Sequence, residues 1–98
     1  MATMSFMPRL QEYLLLNNFV YTVRKYEYDP KRSNVFTPGV GACHRELIKA
    51  NIVKEDLVPY SGSSGFQSLD DWWDTIVRIN PRLPELYLYY VSIIRRLK

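Results

Sequence analysis

The chain of 98 residues has a single cysteine, Cys43, so no internal disulfide can form. That suits a reducing, cytoplasmic setting. One cysteine and one histidine, the adjacent Cys43 and His44, fall short of the about four ligands that a zinc site takes. Neighbours on a strand also point to opposite faces, so the two cannot act on one atom. Cys43 therefore reads as a small core residue. Glycine is scarce, at four residues. Gly39-Val40-Gly41 lacks the Lys-Ser/Thr and the strand–loop–helix context of a phosphate loop, and reads as a tight turn. No apolar run approaches the ~18 residues that span a bilayer. The opening MATMSFMPRL has neither a basic n-region nor a long apolar h-region, so no secretory signal is expected there. No metal, cofactor or membrane partner is expected.

What is present is an aromatic, mildly basic chain. It is 47% hydrophobic and 14% aromatic, enough for one modest core in a single domain, 1–98. The net charge of +3 is unevenly spread. Residues 24–54 carry seven basic side chains against three acidic, a net +4; residues 55–85 carry two against six, a net −4. A basic half suggests an anionic partner, with ordinary solvated charge as the plain alternative.

Pro8 suits the first turn of a helix that carries Leu10, Tyr13 and Leu14 on one side. Asn17-Asn18 can take the left-handed conformation that ends it. FVYTVRKY, from Phe19 to Tyr26, alternates as a strand: Tyr21 and Val23 share one face, and Thr22, Arg24 and Tyr26 the other. Residues 27–34 read as an exposed loop and Val35-Phe36 as a short strand. Val40 to Val53 reads as a strand pair with Cys43, Arg45 and Leu47 on one face. SGSSG, 61–65, reads as a flexible loop. Ser68 opens a capping box with Asp71. Leu69, Trp72, Trp73, Ile76 and Val77 then form a helical stripe that stops at Pro81. These features make Asp70, Asp71 and Asp74 capping or solvated residues before catalytic ones, and the tryptophans core residues before base-stacking ones. LYLYYVSIIRR, from Leu86 to Arg96, reads as a strand buried for most of its length. The class is α+β: a small, partly closed sheet covered by helices.

Tyr13, Tyr21, Tyr26, Tyr28 and Phe36 interleave with Arg24, Lys25, Lys31, Arg32 and Arg45. Basic groups attract phosphate and aromatics stack on unpaired bases, although β-sheets also use tyrosine heavily.

Taken in order, these segments resemble the ASCH domain family of PUA-like β-barrels. The N-terminal pattern is RLQEYLLLNNFVYTVRKY, with Thr22 and Arg24 two apart on the strand. Phe36-Thr37-Pro38-Gly39 matches an F-x-x-G turn. Gly65-Phe66, SLDDWWDTI and LYLYYVSII match the end. The likeness runs over roughly residues 5–95. It implies a PUA-like β-barrel with flanking helices, and an RNA- or nucleotide-binding cleft beneath the N-terminal helix. Thr22, Arg24 and Tyr26 would face that cleft, with Lys25, Lys31, Arg32 and Arg45 as the electrostatic approach. An ion pair from Arg24 to a residue such as Glu46 is the structural alternative. One branch of the family hydrolyses acetylcytidine and uses a lysine three residues before the strand threonine; Phe19 stands there in this chain, and Ser64-Gly65 stands where that branch has a glutamate. Only Thr22 matches, so the amidase is not carried over. Two alternatives remain: a hydrolase acting on RNA or a modified nucleoside, and a protein-interaction domain that pairs through the C-terminal strand as an exposed edge.

Overall fold

A computed structural model describes residues 2–97. In chain order its elements are β1 (Ala2–Thr3), α1 (Pro8–Asn17), β2 (Phe19–Arg24), a 3-10 turn (Pro30–Arg32), β3 (Asn34–Thr37), β4 (Gly41–Ala50), a 3-10 segment (Lys54–Ser63), α2 (Leu69–Ile79) and β5 (Tyr87–Arg96). The strands form one five-stranded mixed sheet in the order β1-β3-β4-β5-β2. Only the β1–β3 pair is parallel.

Local chemistry accounts for the elements. Pro8 opens α1, and Asn18 ends it at φ 71°, its N–H donating to the Leu14 carbonyl. At α2 the Ser68 Oγ accepts from the Asp71 N–H at 3.1 Å, which satisfies one of the helix's free donors. The Asp71 carboxylate turns to Arg9, 3.1 Å away, instead of back to the cap. The β3–β4 hairpin closes through Val40 N–H to the Thr37 carbonyl. Gly41 sits at φ +131°, and a Cβ there would lie 2.1 Å from the Arg95 carbonyl oxygen, so only glycine fits this crossing of β4 with β5.

Each face of the sheet holds its own core. Val20, Val35, Cys43, Tyr89 and Val91 pack with Leu10 and Leu14 of α1 on one face. Leu88, with Tyr21 and Val23 at its margin, packs with Leu57, Trp72 and Ile76 on the other. The period-2 alternation of β2 and β5 makes this possible, since each strand feeds both cores. Cys43 is fully buried, and burial pushes its thiol pKa up.

Several expectations are corrected here. The sheet is open and not a closed barrel: β1 and β2 are its two edges. With only two residues, β1 has too little ladder to close it. The gap is instead bridged by a side chain, the Arg24 Nη2 donating to the Ser5 carbonyl at 2.7 Å. The C-terminal strand is no edge, because β5 is paired with β4 on one side and β2 on the other; its unbroken β-branched and aromatic run suits an interior strand. Residues 41–50 form one long strand, not a pair, accommodated by register shifts at Ala42/Cys43 and Leu47/Lys49. The SGSSG stretch is built structure: Ser64 is fully buried, its Oγ donating to the Ser61 carbonyl at 2.7 Å and accepting from Phe66 N–H at 3.2 Å. No helix among the described residues is long and apolar enough to cross a membrane.

Candidate nucleotide-binding cleft

The cleft that involves the most sequence-predicted residues has a volume of about 280 Å³ and lies at the C-terminal end of β2. The start of α1, with Phe6, Met7 and Leu10, forms one wall. Phe66 and one side of α2, with Trp72, Ile76 and Ile79, form the other. Thr22 and Arg24 line its floor, and Lys25, Tyr26 and Tyr28 its rim. Both helices reach this spot because β2 is the edge strand and each helix covers one of its faces.

Arg24 is the chemical centre. Besides its bond to the Ser5 carbonyl, its guanidinium stacks 4.9 Å from the Phe6 ring centroid. Burial lowers its pKa from the ordinary value; Tyr28 partly offsets this, and nearby Arg45 pushes the same way as burial. A cation taken out of water normally recovers that loss from an anion. The ion pairs among the described residues are Arg9–Asp71, Lys49–Asp56 and Lys54–Asp70. None includes Arg24, so the alternative of a pairing with Glu46 does not occur. Glu46 lies on β4 opposite Tyr90, with β5 between it and β2.

The other walls are largely aromatic. Trp72 is buried and stacks on Phe66, 6.5 Å between centroids at 13°. Tyr26 is exposed at the rim with the Lys25 ammonium 5.3 Å from its ring centroid. The Tyr28 N–H donates to the Tyr89 hydroxyl at 2.8 Å, which in turn reaches the Tyr26 carbonyl at 3.3 Å. The two rim tyrosines are thus tied to β5 through one phenol. Burial raises the pKa of that phenol, so it stays protonated and able to donate.

Four of the seven expected residues meet in the cleft: Thr22, Arg24, Lys25 and Tyr26. The other three do not. Lys31 and Arg32 line a separate shallow depression beside Ala2 and Asn34, because the 3-10 turn from Pro30 carries them to the β1–β3 edge. Arg45 is only 5% exposed, so it is no electrostatic approach from solvent. Its guanidinium carbon lies 3.7 Å over the Tyr28 ring, and its Nε has no hydrogen-bond partner. The sequence reading made no site residue of Phe6, Phe66 or Trp72, and named Tyr28 only among the aromatics interleaved with basic residues. For Trp72 the signal was the apolar stripe Leu69–Trp72–Ile76, which continues to Ile79; for Phe66 it was the Gly65-Phe66 motif of the resemblance; for Phe6, an isolated aromatic outside any periodic element, there was none.

Among the described residues no group of three or more His, Cys, Asp or Glu is placed to hold a metal ion. No family model, no curated protein and no solved structure matches the chain.

Proposed function

We propose that the chain is a nucleotide- or RNA-binding module of the ASCH-like, PUA-like kind, with its ligand in the Arg24 cleft. The observation that carries this reading is a partly buried guanidinium with no carboxylate partner, set among aromatic and apolar walls. The unpaired cation suits a phosphate, and the walls suit a base or sugar. Thr22 adds a hydroxyl on the same strand face. The cleft is near the lower end of the ~300–1,000 Å³ usual for ligand pockets, which favours one nucleotide over a duplex. The open sheet, with Arg24 of one edge strand reaching the Ser5 carbonyl just after the other, is compatible with a barrel relative that has stayed open.

The residues around Thr22 favour binding over hydrolysis. An activated hydroxyl needs a neighbouring base, and no carboxylate or imidazole lines the cleft among the described residues. The interaction-domain reading loses its basis, because the strand it relied on is central.

The test is titration of a short single-stranded RNA and of cytidine 5′-monophosphate into wild-type protein and Arg24→Gln, at low and high salt. Wild type should bind, with affinity falling as salt rises, and Arg24→Gln should bind at least about tenfold more weakly. Equal binding by the variant, or no binding by wild type at low salt, would contradict the reading.

A further inference from the structure

Arg24 is not the only cation here that lacks an ion-pair partner among the described residues. Arg45, on β4, is 95% buried by its 5% exposure, and its Nε has no partner. It does not line the Arg24 cleft; it lines a second one that shares Tyr28. Tyr28 adjoins both guanidiniums: its ring lies 3.7 Å beneath Arg45, and its side chain meets Arg24. Three carboxylates, Glu27, Asp29 and Glu46, line this second cleft, and none is within ion-pair distance of Arg45. Two guanidiniums therefore share one tyrosine without a paired anion.

Two guanidiniums without ion-pair partners, both against Tyr28, attract a doubly charged anion in the Arg24 cleft more than a singly charged one. An internal phosphodiester supplies one. A phosphomonoester supplies between one and a half and two near pH 7, since its second pKa is about 6. Resting on the nucleotide-binding reading above, we infer that the cleft selects a phosphomonoester: a mononucleotide or a phosphorylated strand end, in preference to an internal diester. Arg24 contacts the phosphate. Arg45 is a positioning residue: it holds the Tyr28 ring by stacking and adds its field from behind, where low dielectric makes a second charge count.

Calorimetric titration of wild-type protein tests this without any variant. The probes are cytidine, cytidine 5′-monophosphate, the dinucleotide CpC, and a short RNA with and without a 5′-phosphate. The monophosphate should bind at least about tenfold more tightly than cytidine or CpC. The RNA arms separate a free nucleotide from a strand end: if the 5′-phosphate strengthens RNA binding, strand ends are ligands; if it does not while the monophosphate does, the ligand is a free nucleotide.

Lowering the pH from 7.5 to 5.5 should then erode the preference, because the monoester loses its second charge. The sign is diagnostic. Acidification can only make the protein itself more positive, which strengthens anion binding instead. Arg45→Gln should weaken binding of the monophosphate more than binding of CpC and bring their affinity ratio toward one, a change of ratio that loss of fold alone cannot produce. Equal affinity for CpC and the monophosphate overturns this inference and leaves nucleotide binding standing. Binding of inorganic phosphate as tight as the monophosphate, or no binding by any probe, overturns nucleotide recognition itself.

Discussion

Two groups of aromatic side chains, built from similar residues, behave differently. At the N-terminal end of β2, Phe19, Tyr21, Tyr60 and Tyr90 pack on one another. Phe19 stacks on Tyr90 at 5.7 Å, and Tyr21 lies 4.7 Å from Tyr60 and 5.2 Å from Tyr90. At the other end of the same strand, Phe6, Tyr26 and Tyr28 each face a cation: Arg24, Lys25 and Arg45. The first group is closed on itself and stabilises the sheet. The second also has ring contacts, Tyr28 to Tyr89 at 5.2 Å and to Tyr26 at 6.4 Å, but its rings meet cations that have no carboxylate within ion-pair distance among the described residues. A tyrosine's role here is set by what covers its ring, and composition alone carries no record of that.

The comparison can be broken at points of decreasing effect. Trp72 serves both as buried core and as cleft wall, with 2% exposure. Trp72→Ala should cost about 3–5 kcal/mol of stability, read by chemical denaturation, and abolish binding as well. Arg24→Gln should separate the two properties. It should lose about 1.5–3 kcal/mol of nucleotide binding, yet shift unfolding stability by less than about 1 kcal/mol, because removing a desolvated unpaired charge offsets the lost Ser5 bond. A stability loss equal to the binding loss would mean that Arg24 is chiefly a strut across the sheet edges.

Tyr21→Leu should do the reverse. It should cost about 0.5–1.5 kcal/mol in lost aromatic pairing and leave ligand affinity unchanged, as measured by parallel melts and titrations. The smallest effect is at Asp56, which belongs to neither group. Its hydrogen bond from Lys49, and a second from the Val53 N–H, hold its carboxyl pKa below the usual range. A depressed carboxylate pKa contributes stability above the unfolded value near 4 and loses it as pH falls through the folded value. Asp56→Asn should therefore flatten the acid limb of the stability curve slightly, and leave stability at pH 7 almost unchanged because the pair is exposed.

Much of the frame was legible from residue patterns. Ser68 and the Leu69–Trp72–Ile76 stripe located α2, Pro8 and Asn18 bounded α1, and the alternation Thr22–Arg24 placed those two together. These signals are local, and local chemistry decided them. What escaped was set by distant contacts. Ala2-Thr3 has no strand pattern of its own and is a strand only because β3 offers it a parallel edge. SGSSG has the composition of a linker, but Ser64 and Phe66 are pinned by hydrogen bonds and by the Trp72 ring. β5 reads as an aromatic strand either way, and only its two neighbours make it central. Arg45 is the instructive miss. Its alternation with Cys43, itself read as core, already put it on the core-facing side of β4. A basic residue there was a sign of a buried, unpaired charge and not of a solvent-facing approach.

The central claim is that the cation-facing aromatics form the ligand site and the self-packed ones do not. The most direct measurement is an NMR titration of isotope-labelled protein with cytidine 5′-monophosphate at low salt. The expected result is shifts confined to Phe6, Thr22, Arg24, Lys25, Tyr26, Tyr28 and Phe66, with Tyr60 and Tyr90 silent. Shifts centred on Tyr60 and Tyr90, or none anywhere, would contradict it.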